Sequence, residues 1–155
     1  MKIFRSDGKE IFDTNDGRND KDLDSICLSS ANLAGAVLEG CNLSDADLSG
    51  ADLSGADLYW ATLYRSNLSR ANLAGASLRG ADLKEANLAD ADLTNADLGR
   101  DNLHGATQLQ GARLRGARLT GAVFSGAEYD DETVFPIDFD PDVHGMRKAE
   151  CNDPL

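Results

Sequence analysis

Sixteen consecutive leucines, Leu28 to Leu103, follow one another at intervals of five residues without a miss. The unit reads Ala-(Asp/Asn)-Leu-x-x, as in Ala46-Asp47-Leu48 and Ala51-Asp52-Leu53. Ala precedes the leucine by two places in 12 of the 16 units, and Asp or Asn stands directly before it in 12. Self-similarity at a fixed period is the mark of a repeat architecture. A period of five matches neither the 3.6 of a helix nor the 2.0 of a flat strand. Glycine or another breaker returns almost every unit, which also argues against helix. The pattern fits a coil that changes direction once per unit, with Ala and Leu pointing inward and the other three residues facing water.

The run Ala71-Asn72-Leu73-Ala74-Gly75-Ala76-Ser77-Leu78 resembles the pentapeptide-repeat family, and the likeness covers about residues 26–129. The resemblance implies an all-β fold, a right-handed quadrilateral parallel β-helix. Four units would close each coil of 20 residues, about five coils would stack roughly 4.8 Å apart, and residues 20 apart would lie above one another. The ending Tyr129-Asp130-Asp131 through Phe135-Pro136 to Phe139-Asp140-Pro141 resembles the close of many cyanobacterial members. Three regions are expected: an N-terminal cap over 1–25, the β-helix over 26–129, and an acidic C-terminal cap and tail over 130–155.

A chain of 155 residues suits one domain. No apolar stretch follows Met1-Lys2-Ile3-Phe4-Arg5, so neither a signal peptide nor a membrane span is expected. Cys27, Cys41 and Cys151 are odd in number and lie in unrelated contexts, which argues against a disulfide framework and for the cytoplasm. Cys41 takes an Ala slot as a small apolar filler.

The net charge of −12 is uneven. Residues 1–25 carry 7 acids and 5 bases, 26–129 carry 12 and 8, and 130–155 carry 8 and 2. Arg113, Arg115 and Arg118 make the last coil basic. Residues 130–142 are therefore expected to fold back over it, partly by charge attraction.

Binding or catalytic positions are best sought where the repeat breaks. Asp101 stands in an inward slot otherwise held mostly by Ala, and Leu103 to Leu109 is six residues, a one-residue insertion near 104–108. A carboxylate in a leucine core is costly unless it is hydrogen-bonded or protonated. Either a bulge lets Asp101 bond the loosened backbone around 105–108, or Asp101 and His104 hold a ligand or metal. A lone Asp/His pair supplies too few ligands to assign a metal.

The second break is aromatic and basic. Tyr59, Trp60, Tyr64 and Arg65 occupy outward positions of two successive units and should flank one corner. Stacking sets Tyr59 beside Arg79, Trp60 between Gly40 and Gly80, and Tyr64 beside Lys84. Arg65 falls between Asp45 and Glu85, an acid–base–acid ladder. This group, with Arg79 and Lys84, is a candidate protein-binding patch; the alternative is surface aromatics lying flat on the coil.

At the N-terminus, Lys2-Ile3-Phe4-Arg5, a Ser6-Asp7-Gly8 turn and Glu10-Ile11-Phe12 read as a short hairpin covering the first coil. The acidic stretch from Asp13 to Asp24 misses the calcium-loop signature, since Gly17 is fifth and Asp24 twelfth, and reads as a solvated turn. At the other end, Phe124, Tyr129, Phe135, Ile137 and Phe139 are expected to plug the core.

No constellation supports catalysis. His104 and His144 lie in unrelated contexts, and no nucleophile–base spacing or phosphate-cradling loop is present. Neither a cofactor nor a metal is expected. The carboxylates of Asp47, Asp52 and Asp57 face different sides of the coil, where they solvate the surface and bond neighbouring turns. The expected function is a non-enzymatic protein-interaction or scaffold module with a regulatory role, monomeric and with a protein partner. The alternative is a DNA mimic of the gyrase-protecting type. Against the mimic stand the small excess of acids over 26–129, the basic last coil, and the lack of an apolar C-terminal helix. Direct nucleic-acid binding is disfavoured by the negative charge.

Overall fold

The computed structural model of the protein describes residues 2–5, 10–13 and 21–150. The expected turn at 6–8 and most of the acidic stretch at 13–24 lie outside the described residues, as do the last five positions.

Each unit turns a corner through one β-turn. At Leu33 the N–H of Ala36 donates to the Leu33 carbonyl at 3.0 Å, and Gly35 between them has φ +65. This is the positive φ that a type II turn demands at its third position. Where Asp or Asn precedes the leucine, its side chain braces the corner: Asp47 Oδ1 accepts the N–H of Ser49 at 3.1 Å, and Asn72 Oδ1 that of Ala74 at 3.1 Å. Asp and Asn recur there because short polar side chains can satisfy the turn's own backbone.

The coils then stack in parallel. One side runs Asp22, Asn42, Thr62, Asp82, Gln108 and Glu128, and the next runs Cys27, Asp47, Asn67, Asn87, Arg113 and Val134. The third runs Asn32, Asp52, Asn72, Asp92 and Arg118, and the fourth Val37, Asp57, Ser77, Asp97 and Val123. Asp47, Asp52 and Asp57 thus lie on three different sides. Backbone bonds join each coil to the next, such as Leu48 N–H to Asn67 O at 2.8 Å and Asp47 N–H to Ile26 O at 2.9 Å. Side chains add a second tie, with Asn72 Nδ2 donating to Asp52 Oδ1 at 3.1 Å. Inside, every leucine from Leu23 to Leu98 is buried, as are the alanine slots except those of Ile26 and Ala36, and the lining resumes at Leu109.

Strand β1 (Lys2–Arg5) pairs antiparallel with β2 (Glu10–Asp13), and its other edge pairs with β3 (Ala31–Asn32). The hairpin therefore occupies the open edge of the third side. Coiling starts earlier than residue 26, since Asp22 is already in the ladder and Leu23 is buried.

At the far end the ladder continues past residue 129. Strand β4 (Glu128–Tyr129) pairs in parallel with β5 (Arg147–Lys148). Between them Phe124, Phe135, Phe139 and His144 form a stack: Phe124 meets Phe139 edge-on at 5.2 Å, and His144 lies flat on Phe139 at 4.2 Å. Two expectations are corrected here. Ile137 is 99% exposed and plugs nothing, because the aromatic stack already fills the tube's mouth. Among the described residues no ion pair joins Arg113, Arg115 or Arg118 to the cap: Arg118 reaches Asp92 at 3.3 Å, and the cap's own pair is Lys148 with Asp131. Aromatic packing and backbone bonds hold this segment down.

The third correction concerns the break. Asp82 pairs with Gln108, Asn87 with Arg113, Asp92 with Arg118 and Asp97 with Val123, all 26 apart where the rungs before the break are 20 apart. The insertion is therefore six residues, 101–106, not one. Leu103, sixteenth of the leucine series, is 76% exposed. Its unit is extruded whole, Thr107 takes the Ala slot in place of Asp101, and Leu109 takes the next leucine slot.

Candidate functional site

The extruded unit does not hang free. Trp60 is third in a type II turn with φ 55, a conformation strained for a bulky residue. Gly40 and Gly80 hold the same corner one coil above and one below with φ +64 and +68. The indole lies down across Gly80, where a Cβ would stand only 2.8 Å from Trp60 Nε1. Laid that way, Trp60 reaches the coil two below and donates its ring N–H to Asp101 Oδ2 at 2.5 Å. The Tyr59 hydroxyl donates to the same oxygen at 3.4 Å, and the two rings sit 6.3 Å apart at 52°.

The second oxygen of Asp101 ties up its own loop. Oδ1 accepts the N–H of Leu103 at 2.8 Å and of Gly105 at 2.5 Å, while the Asp101 N–H donates to Gly105 O at 2.9 Å. A larger residue at 105 would displace the Asp101–Trp60 pair, since a Cβ would lie 2.8 Å from Asp101 Oδ2 and 3.1 Å from Trp60 Cζ2. Burial of this 5% exposed carboxyl would by itself raise its pKa. The N–H of Gly105, the Trp60 indole, the N–H of Leu103 and the Tyr59 hydroxyl together outweigh burial and hold the group below the usual carboxylate range. Asp101 is ionised at neutral pH.

Thr107 repairs the ladder where the loop leaves. Its buried hydroxyl accepts the N–H of Gly80 at 3.1 Å and faces the carbonyls of Leu78 at 2.9 Å and Gly99 at 3.1 Å. In unbroken coils an N–H at this corner bonds the next coil directly, as Gly40 does with Tyr59 O.

The remaining residues of the expected patch are spread out. Tyr64 and Arg65 occupy the next corner, with the Thr62 side between them and Trp60, so the group flanks one side of the tube and not one corner. Arg65 pairs with Asp45 at 2.7 Å and lies 5.5 Å from the Tyr64 ring centre. Glu85 does not complete the ladder, since it accepts the Tyr64 hydroxyl at 3.2 Å. Arg79 turns to Asp97 at 2.6 Å, away from the aromatic pair. Lys84, 3.8 Å from Asp82, borders an open cleft of about 540 Å³ with Glu85, Gln110, Arg113 and Asp130. His104, at the exposed loop, contributes its backbone N–H to Asp101 O at 3.4 Å. Among the described residues no three His, Cys, Asp or Glu side chains gather to hold a metal, and no helix is long and apolar enough to cross a membrane.

Sequence reasoning placed the Trp60 corner and the Asp101 break apart; the structure makes them one site. The backbone that Asp101 was expected to bond around 105–108 includes the Gly105 N–H it accepts, whereas the role of Thr107 was missed. The six-residue step to Leu109 was the available signal, and Thr107 is the residue two places before that leucine.

A capped tube of five-residue turns, leucine-filled and with one unit thrown outward onto an exposed tryptophan, defines a β-helical repeat protein. The chain belongs to the pentapeptide-repeat family, whose repeats match in 8 copies over residues 26–64, 66–106 and 102–128, and its coil is the right-handed quadrilateral β-helix. HetL, a pentapeptide repeat protein involved in heterocyst differentiation regulation in the cyanobacterium Nostoc sp. PCC 7120, is similar at 40% identity and a TM-score of 0.69. That match covers 70% of this chain and 46% of HetL, so the chain spans about half of HetL's length. Alr5209 of the same Nostoc strain is 38% identical with a TM-score of 0.64, covering 70% of this chain and 84% of alr5209. Rfr23 of Cyanothece 51142 is 39% identical with a TM-score of 0.58, over 64% of this chain and 63% of Rfr23. No curated protein matches the chain.

Proposed function

We propose that the protein is a monomeric, non-enzymatic docking scaffold of the cytoplasm that binds a protein partner across the side flanked by Tyr59 and Trp60 on one corner and Tyr64 and Arg65 on the next. One observation carries the reading. A strained, 49% exposed tryptophan is fixed by a buried carboxylate from a loop that interrupts an otherwise perfect repeat. Rigid aromatic groups held at low conformational cost are the usual anchors of protein interfaces. The overall charge of −12 favours a protein over a nucleic acid as partner. The printed role of HetL in differentiation control supports a regulatory setting for this chain.

The test is capture from a lysate with the wild-type protein, Trp60→Ala and Tyr64→Ala as baits. Specific partners should be lost with Trp60→Ala and weakened with Tyr64→Ala. An unchanged bound set for both substitutions, or inhibition or rescue of gyrase supercoiling at micromolar protein, would overturn this reading in favour of a different surface or of a DNA mimic.

A further inference from the structure

Among the described residues, no cationic side chain neutralises the charge of Asp101. Its four hydrogen-bond donors are two backbone N–H groups, an indole and a phenol, all uncharged. These occupy the lone pairs but leave the net negative charge in place. Among the described residues no ion pair reaches it: Arg79 is held by Asp97 and Arg65 by Asp45. Arg100, next in the chain, points the other way, its Nε and Cζ lying over Gly126. Buried carboxylates in folded proteins normally have a cationic partner, so this one is set up for a cation from outside.

The exposed surface beside Asp101 includes Trp60. The indole donates its N–H to Asp101 and still exposes about half its surface. Tryptophan offers the strongest cation–π face of the side chains. A hydrogen bond from its ring N–H to a carboxylate pushes electron density into the ring and strengthens that face. Leu103, exposed on the same loop with its N–H bonded to Asp101, offers an apolar surface suited to the methylene stem of a long cationic side chain. The geometry points to a receptor for one cationic side chain of the docked protein, an arginine foremost, which lies on the outer face of Trp60 beside Leu103 and neutralises Asp101. The planar guanidinium favours arginine over lysine on an aromatic face. This inference rests on the docking reading above and names the chemistry of the anchor that the partner inserts.

The sequence holds one tryptophan, so ¹⁵N-labelled protein gives one indole N–H resonance. That resonance is followed while the full chain is titrated with the capped peptide acetyl-Gly-Arg-Gly-amide, and with its citrulline counterpart, which keeps the shape but lacks the charge. The arginine peptide should move the resonance saturably with a millimolar Kd, and the citrulline peptide should not. Asp101→Asn should weaken binding at least fivefold, and Leu103→Ser, which keeps the backbone bond to Asp101, about twofold. Equal shifts from both peptides overturn the inference, as does wild-type affinity in a folded Asp101→Asn protein. If Asp101→Asn does not fold, the peptide comparison in the wild type decides alone. Failure here alongside partner loss in Trp60→Ala would leave the docking reading standing and remove only the cationic anchor.

Discussion

Two buried hydroxyls stand in alanine slots, and the structure assigns them opposite consequences. Ser66 donates to Leu63 O at 2.8 Å, yet that carbonyl also receives the Ser66 N–H at 3.1 Å. Replacing Ser66 by Ala restores the residue of the repeat and leaves no backbone group without a partner. Thr107 differs because its hydroxyl is the partner of the Gly80 N–H and faces the Gly99 carbonyl. Thr107→Val keeps the shape and strands both groups. An orphaned buried polar group costs about 1–3 kcal/mol, so we expect Thr107→Val to lose about 2 kcal/mol and Ser66→Ala to stay within about 0.5 kcal/mol of wild type. Urea unfolding followed by far-UV circular dichroism checks this; with a slope of about 2 kcal/mol/M, Thr107→Val should shift the midpoint down by about 1 M. Hydrogen exchange should quicken at the Gly80 amide. Equal midpoints for the two variants would show that the Thr107 hydroxyl does not carry the ladder across the break.

Three further outcomes follow from the geometry. Asp101 has a folded pKa below its unfolded value of about 3.9, so its contribution is fully present above that value and fades as pH falls through the lower, folded value. Trp60 fluorescence should therefore hold steady from pH 8 to 5 and change below about pH 4, and the change should be absent in Asp101→Asn. In a Cys151→Ser background, a thiol reagent should label exposed Cys27 rapidly and Cys41 only on unfolding, because burial pushes the Cys41 thiol up, with Lys21 acting weakly against it. Phe124→Ala removes the base of the aromatic stack and should cost about 3–5 kcal/mol, with hydrogen exchange rising first over residues 127–149.

The repeat was legible because its cause is local. Every unit from Leu28 to Leu98 needs the same turn and the same two inward side chains, so spacing alone sorts inside from outside. Leu103 shows where spacing fails. It keeps the five-residue interval, but its unit begins with Asp101, whose carboxylate finds four donors in the extruded loop and on Tyr59 and Trp60, whereas Thr107 in the alanine slot accepts one, the Gly80 N–H. A residue count records the interval and not that competition. The link from Trp60 to Asp101 lay within reach, since stacking places Trp60, Gly80 and Arg100 on one corner and Asp101 is next in line. What hid it was the reach of an indole across a glycine to the second coil down, which depends on side-chain size and not on register. At the C-terminus the pattern of Phe124, Phe135 and Phe139 was informative because aromatic residues replace leucine there, whereas Ile137 was misplaced because the cap follows no repeat and periodicity ceases to assign faces.

Deleting residues 101–106 joins Arg100 to Thr107 and sets Leu109 five places after Leu98, so the extrusion of one whole unit from an otherwise continuous tube can be tested by circular dichroism and the fluorescence of Trp60. The shortened protein should keep the wild-type far-UV spectrum and unfold cooperatively, while Trp60 emission moves to longer wavelength as its carboxylate partner is removed. An unfolded or aggregated product, or a tryptophan spectrum identical to wild type, would contradict it.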